Sequence, residues 1–199
     1  MPIYEYGRIK ILAEQLAKAG VPGETIDRVM EGGEDIRGNA KPEVKAAWMK
    51  TAMERMDTLL NASTRQSVRE ACACCLGGKR LQVSKGIGKQ HESLEERLKA
   101  ANEARFVFGH SVSMLDDGRV LVSFAPEGLE SYRCVCLPKA KGAVSVTYCY
   151  CCGGHIKHHL QNALGRKLSC EVRSSALESE GKRPCSFVFS IEADGGGRG

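Results

Sequence analysis

Several familiar signatures are missing from this sequence, and each absence excludes a class of protein. No stretch approaches about 18 uncharged apolar residues, so the sequence predicts no membrane span. Residues 1–8 show no cationic segment followed by an apolar run of about 7–15 residues, so we expect no secretory signal peptide. These two absences predict a cytoplasmic protein, in which thiols stay reduced.

Two common catalytic loops are also missing. Residues 85–89, Lys-Gly-Ile-Gly-Lys, carry the glycines and lysines of a phosphate-binding loop, but Gln90 stands where a hydroxyl is needed. We interpret 85–89 as a flexible, solvated loop. The chain contains no Gly-x-Ser-x-Gly nucleophile elbow either. Neither an NTP-binding loop nor a serine-hydrolase site is therefore expected.

The charge of the chain is mild, which bears on its partners. The formal net charge is +5, from 29 Lys and Arg against 24 Asp and Glu. Four basic residues are clustered between positions 79 and 89, namely Lys79, Arg80, Lys85 and Lys89. Because Glu92, Glu95 and Glu96 follow directly, a nucleic-acid interface ranks last among the functions considered.

The first 105 residues predict a helical region. Apolar residues recur there at intervals of three and four, between Gly and Pro stops. Ser93 with Glu96 has the capping-box signature of a helix start. The predicted helices cover residues 8–19, 25–30, 42–60, 63–76 and 93–105.

From residue 106 onward the period changes from about 3.6 to 2, which indicates strands. Asp116-Asp117-Gly118 separates two alternating segments and predicts a hairpin. The predicted elements are an extended start at 106–108, strands over 111–115, 119–124, 143–148, 168–173 and 186–191, and one helix over 154–164. Segregated helices and strands favour an α+β fold with a mainly antiparallel sheet and packed helices. The predicted division is a helical region over 1–105, a cysteine-rich domain over 106–193 and a disordered tail over 194–199.

Five of the ten cysteines lie close together in this second half. They form two Cys-x-Cys pairs and an adjacent fifth thiol: Cys134, Cys136, Cys149, Cys151 and Cys152. Side chains two apart on a strand share a face, so each pair can approach one ion. Thiolates are preferred ligands of zinc and of iron–sulfur clusters. The cluster therefore predicts a metal site, with buried thiols or a reactive thiol as the alternatives.

Histidines follow the cluster directly. His155, His158 and His159 fall at helical spacing and are interpreted as a solvated face of the helix. His155 is nearest to Cys152 and is the candidate to supplement the thiolates as a metal ligand. It is also the candidate base if Cys151 or Cys152 is a nucleophile at the helix start.

The remaining cysteines are interpreted as structural. Cys72 and Cys75 share a helical face with apolar neighbours, which predicts core positions, although they and Cys74 would also be able to reach the main cluster. Cys170 and Cys185 fall in predicted strands and are expected to be buried.

The end of the chain carries an ordered set of motifs. These are Tyr-Cys-Tyr-Cys-Cys-Gly-Gly at 148–154, Ala-Leu-Gly-Arg at 163–166, Glu-Val-Arg-Ser at 171–174, Gly181, and Cys-Ser-Phe-Val-Phe at 185–189. Over about residues 144–191 this pattern resembles the C-terminal half of the 4-vinyl reductase-type domain and its cysteine-rich bacterial relatives.

The resemblance implies an α+β domain that binds small molecules in sensors and regulators, with cysteines suspected of binding metal. Leu177 stands where that family has the cysteine that precedes its closing one. A metal site would therefore be relocated to Cys134, Cys136, Cys149 and Cys151.

Taken together, the sequence predicts a cytoplasmic small-molecule-binding or sensory module with a cysteine-ligated metal, zinc or alternatively an iron–sulfur cluster. The expected partner is a small apolar ligand, and a homodimer is left open. The alternative is a thiol- or metal-dependent enzyme that uses Cys151 or Cys152 with His155.

Overall fold

The computed structural model describes residues 2–126, 128–129 and 131–192. Its α-helices are α1 Gly7–Lys18, α2 Gly23–Met30, α3 Pro42–Leu59, α4 Ala62–Ala71, α5 Gly78–Gln90, α6 Leu94–Glu103, α7 Arg105–Phe108 and α8 Tyr150–Leu164. Its strands are β1 Ser111–Met114, β2 Val120–Ser123, β3 Leu168–Ser174 and β4 Ser186–Ile191. The α+β class is confirmed, and the predicted tail at 194–199 lies outside the described residues.

Local signals place most of the helices. Pro42 occupies the first turn of α3, where its missing N–H costs nothing. The Ser93 hydroxyl accepts the backbone N–H of Glu96, and the Glu96 carboxylate accepts the N–H of Ser93 in return. This capping box confirms the predicted start of α6, because it satisfies two amide donors that the helix leaves unpaired.

The four strands form one antiparallel sheet in the order β1-β2-β4-β3. The Asp-Asp-Gly hairpin joins β1 to β2 as predicted, and β4 pairs with both β2 and β3. Val120 lies opposite Phe189 and Val122 opposite Phe187, and all four side chains are buried. This apolar face of the sheet packs against α8.

The helical region and the sheet bury their apolar residues in one continuous hydrophobic cluster. Leu12 and Met53 from the first helices belong to the same cluster as Leu160 and Phe187 from the second half. Helix α8 lies at its centre, in contact with α4, α5 and β3. The start of α8 is therefore surrounded by segments from both halves of the chain.

The interpretation of residues 85–89 as a solvated loop was wrong. These residues belong to α5, which packs along α8. A Cβ atom on Gly88 would lie only 2.6 Å from the carbonyl oxygen of Asn162, so the glycine allows the two helices to approach closely. Of the two glycines in this segment, Gly88 is needed for helix packing, whereas Gly86 faces open space.

Four further elements differ from the predictions. Residues 143–148 form no strand, since Val146–Cys149 is a short 3₁₀ turn that leads directly into α8. Helix α8 itself begins at Tyr150, four positions before the predicted start at 154. The extended start predicted at 106–108 is the short helix α7, and the helix predicted to reach 76 ends at Ala71.

Within the described residues, none of the helices has both the length and the apolar character that crossing a bilayer requires.

Candidate functional site

The start of α8 brings Cys151 and Cys152 into the interior. The preceding 3₁₀ turn is held by the Ser145 hydroxyl, which accepts the N–H of Thr147 at 3.1 Å. Two glycines then allow the helix to approach its neighbours. A Cβ on Gly153 would lie 2.6 Å from the sulfur of Cys170, and one on Gly154 would lie 2.3 Å from the carbonyl oxygen of Glu70. Any larger side chain would push the first turn of α8 away from α4 and the sheet.

A network of thiols surrounds this first turn. The sulfurs of Cys136 and Cys152 lie 3.1 Å apart, and Cys151 hydrogen-bonds to Cys152. Cys134 contacts both Cys136 and Cys185, and Cys185 in turn contacts Cys149. The five cysteines predicted to cluster therefore do so, joined by Cys185, which the sequence placed only in a buried strand.

The local geometry of the pairs differs from the strand arrangement that we predicted. Cys134 and Cys136 lie in irregular chain, and Cys149 and Cys151 fall in the 3₁₀ turn and the first turn of α8. The thiol of Cys149 lies 3.0 Å from the Ser175 hydroxyl, whereas Cys151 contacts Cys152. The two members of this pair thus meet different neighbours.

Metal coordination needs three or four ligands around one point. Among the residues described here, no group of three or more His, Cys, Asp or Glu side chains is arranged to hold a metal ion. The zinc or iron–sulfur site drawn from Cys134, Cys136, Cys149, Cys151, Cys152 and His155 stays a prediction.

Two arginines from the helical half lie beside Cys151. Arg69 of α4 is only 3% exposed, and its guanidinium lies over the Tyr148 ring, 4.9 Å from the centroid. Arg8 of α1 donates to the Tyr148 hydroxyl at 3.0 Å and to the carbonyl of Cys136. Within the described part of the chain neither arginine has a carboxylate partner, and Arg69 Nε has no hydrogen-bond partner.

A buried guanidinium without a carboxylate requires another negative group nearby. Cys151 borders the same small cavity as both arginines, so its thiol can serve as that group when it is deprotonated. The hydrogen bond from Cys152, together with the charges of Arg69 and Arg8, lowers the pKa of Cys151 to about 6. Hydrogen bonds to Cys136 and Cys151, together with burial, raise the pKa of Cys152. Near neutral pH the structure thus pairs a Cys151 thiolate with a protonated Cys152.

Cys151 lies between two cavities. A small enclosed cavity of about 30 Å³ is bounded by Arg8, Arg69, Cys72, Tyr148 and Cys151, among others. A larger, open cavity of about 330 Å³ extends on the other side, toward α7. Its apolar wall consists of Phe106, Val107, Phe108, Phe124, Val135 and Ile156. Five thiols from three segments also line it, namely Cys74, Cys75, Cys136, Cys151 and Cys152.

Apart from the Cys151 thiolate, the charged side chains of the larger cavity are all positive. Arg8, Arg80 and Arg105 line it together with His155, and no Asp or Glu among the described residues does so. Arg80 donates to the carbonyl of Phe106, and neither it nor Arg105 has a carboxylate partner within the described chain. Such a cavity favours ligands that combine an anionic group with an apolar body.

The three histidines do not form the solvated face that the sequence suggested. His155, His158 and His159 each place a ring nitrogen about 3 Å from a backbone carbonyl, those of Cys74, Leu76 and Cys75 respectively. Since a carbonyl only accepts hydrogen bonds, each imidazole donates. His159 is completely buried, and burial lowers its pKa to about 4. The histidines therefore secure residues 74–76 against α8.

The other cysteines divide between core and cavity wall. Cys170 and Cys185 are buried as predicted. Cys72 is partly buried and hydrogen-bonds to Arg69, whereas Cys74 and Cys75 are exposed at the cavity, so the core position predicted for Cys75 was wrong. Arg8 and Arg69 were not recognised from the sequence, because an arginine on an amphipathic helix has the same local pattern whether it faces solvent or a buried thiolate.

Comparison with known proteins identifies the family of the chain but no characterised relative. No curated protein and no solved structure matches the chain. The resemblance of residues 144–191 to the 4-vinyl reductase-type domain stays a prediction. A family model covers residues 9–186, and the chain belongs to that family, DUF6144, a family of unknown function.

Proposed function

We propose that this protein binds a small organic anion with an apolar body, and that it presents the Cys151 thiolate to that ligand. The observation that carries the proposal is the 330 Å³ cavity, which Cys151 and three arginines line without any acidic residue among those described. This volume is near the lower end of the range for small-molecule sites, about 300–1,000 Å³.

The lining supports two separate contacts with a ligand. Phe106, Phe108 and Phe124 offer an apolar surface for a ring or chain. Arg80 and Arg105 can each donate charge-assisted hydrogen bonds to a carboxylate, sulfonate or phosphate. A ligand with both parts would satisfy the arginines while it removes the exposed ring of Phe106 from water.

The thiols give the cavity a chemical capacity beyond binding. A thiolate held by fixed positive charges is the reactive form of cysteine. The position of the Cys151 thiolate in the cavity lining is compatible with two roles: a sensor that reacts with its ligand, or an enzyme. We favour a binding or sensory module, because Nδ1 of His155, the predicted base, is occupied by its hydrogen bond to the Cys74 carbonyl.

Anilinonaphthalene sulfonate is a suitable probe, because it joins two aromatic systems to a sulfonate and fluoresces when it leaves water. We expect it to bind the native protein with one site per chain. Replacing Arg105 with alanine should weaken binding about tenfold, which is the loss expected for one charge-assisted hydrogen bond of about 1.5 kcal/mol. The measurement is a fluorescence titration at low ionic strength.

Arg119→Ala is the matched control for this titration. Arg119 is a surface arginine of the β1–β2 hairpin that pairs with Asp117 and with Glu171 of β3, and it does not line the cavity. Equal loss of affinity in both variants would indicate general charge attraction and contradict the proposal. Elemental analysis of the same anaerobic preparation tests the zinc and iron–sulfur predictions, and stoichiometric metal on the thiols would overturn the free-thiolate part.

A further inference from the structure

Two guanidinium groups border the small enclosed cavity beside the start of α8. Arg69 lines it, is only 3% exposed, and has no hydrogen-bond partner for its Nε within the described part of the chain. Arg8 lines the same cavity and is partly buried. Because a buried polar group without a partner costs free energy, an unpaired donor on an enclosed cavity indicates that an acceptor binds there.

The carboxylates of the neighbouring helices α3 and α4 have other partners. Glu70, next to Arg69 in the sequence, pairs with Lys157 at 2.9 Å. Asp57 pairs with Arg65 at 3.3 Å. Neither of them lines the small cavity, and the same holds for every other Asp and Glu that the structure describes. The chain itself therefore brings two positive side chains to this cavity and no carboxylate.

The other groups of the cavity wall do not offset both charges. The carbonyl of Cys136 already accepts hydrogen bonds from Arg8 and, at 3.3 Å, from the Tyr148 hydroxyl. A carbonyl oxygen has two lone pairs, so its capacity to accept is used. A Cys151 thiolate would offset one guanidinium charge, and the second would remain. The need for a further anion thus does not depend on the protonation state of Cys151.

We propose that a single monovalent anion of the size of chloride binds in this cavity, between the guanidinium groups of Arg8 and Arg69. The cavity volume of about 30 Å³ exceeds the roughly 10–15 Å³ that one water molecule requires, but leaves no room for sulfate or phosphate. Ile11 and Met49 supply apolar wall, which favours a weakly hydrated ion over a strongly hydrated one such as fluoride.

This inorganic anion site is separate from the site of the proposed function. The small cavity is enclosed, whereas the open cavity accepts an organic ligand about ten times larger in volume. The two cavities are neighbours, because Arg8, Cys74, Cys136 and Cys151 line both. A small ion can therefore enter by way of the open cavity, and its binding does not require that an organic ligand is bound there.

Thermal denaturation of the full-length protein tests the site with chloride as the probe. The ionic strength is held constant while sodium gluconate is replaced by sodium chloride, since gluconate is too large for the cavity. We expect Tm to rise by roughly 3–6 °C once chloride exceeds its Kd tenfold, as an ion that binds only the folded state stabilises it. Arg69→Met should abolish this rise, whereas Arg65→Met, from the same helix but paired with Asp57, should retain it.

Bromide locates the ion directly, because it resembles chloride and scatters X-rays anomalously. In crystals of the native protein grown with sodium bromide, we expect one anomalous peak within hydrogen-bond distance of Arg69 Nε. Water in the cavity, with bromide only on surface arginines, would overturn the inference, as would an equal chloride response in Arg69→Met and Arg65→Met. If Arg69→Met does not fold, the bromide position decides alone.

Discussion

Replacing Gly154 with alanine is expected to lower the stability of the protein by about 3 kcal/mol, at the upper end of the usual cost of overpacking. The new methyl group would lie 2.3 Å from the Glu70 carbonyl oxygen and 2.8 Å from the Glu70 Cα. Both are backbone atoms of α4, which cannot rotate away as a side chain can. Helix α8 would have to move, and with it the thiols of its first turn.

Gly86→Ala provides a matched control within another helix. A Cβ on Gly86 meets nothing within 4 Å. Alanine there should stabilise the protein by about 0.5–1 kcal/mol, because glycine loses more backbone entropy in a helix. In thermal denaturation we expect Tm to fall by roughly 6–12 °C for Gly154→Ala and to rise slightly for Gly86→Ala, given about 2–4 °C per kcal/mol for a chain of this size. Similar shifts of the same sign would show that α4 and α8 are not in close contact at this point.

Replacing Arg69 with methionine should make Cys151 an ordinary cysteine. In the native protein we expect the rate of Cys151 alkylation by iodoacetamide to rise with a midpoint near pH 6, the pKa that Cys152, Arg69 and Arg8 set. Loss of the Arg69 charge destabilises the thiolate and raises this midpoint. An increase of about two units would make alkylation near pH 7 about tenfold slower, in proportion to the thiolate fraction.

Arg65→Met controls for the loss of an arginine from the same helix. Arg65 lies one turn before Arg69 but pairs with Asp57 at 3.3 Å. Its replacement should leave the alkylation midpoint of Cys151 unchanged, and peptide mapping would assign the modified thiol in each variant. Equal midpoints in the native protein and Arg69→Met would refute the role that we assign to the buried guanidinium.

The same pKa has a consequence for stability. Because folding lowers the pKa of Cys151 from 9.0 to about 6, the unfolded chain binds more protons at this thiol than the folded one between these values. The resulting stabilisation is present above the unfolded pKa and is lost as the pH falls through about 6. The difference in Tm between the native protein and Cys151→Ala should therefore shrink as the pH is lowered from about 9 toward 5.

The sequence anticipates those parts of the structure that depend on near neighbours. The capping box at Ser93, the Asp-Asp-Gly hairpin and the two strands β3 and β4 are each decided within a few residues, and all are confirmed. The clustering of the five cysteines between 134 and 152 was also predicted from the sequence, because these residues are close together along the chain.

Features decided by distant contacts were misread. Gly88 was interpreted as a loop residue because its close contact with α8 is not visible in the local sequence. Residues 143–148 were interpreted as a strand, whereas Val146–Cys149 forms a 3₁₀ turn that leads Cys151 into the interior. The positive charges beside Cys151 come from Arg8 of α1 and Arg69 of α4, both more than 80 positions away in the sequence. No local sequence pattern distinguishes these two arginines from surface arginines. Pairing a thiol with a guanidinium requires the tertiary fold.

The three imidazole contacts determine how a ligand can reach the cavity. His155, His158 and His159 bind three consecutive carbonyls of residues 74–76, and Cys75 is held there in a left-handed conformation with φ 61°. These hydrogen bonds hold Cys74 and Cys75, which line the cavity, against α8, which supplies other lining residues. Val135, which is 70% exposed, makes no such hydrogen bond among the described contacts, whereas Phe106 is held by Arg80 through its carbonyl. Entry and release of a ligand should therefore take place beside Val135.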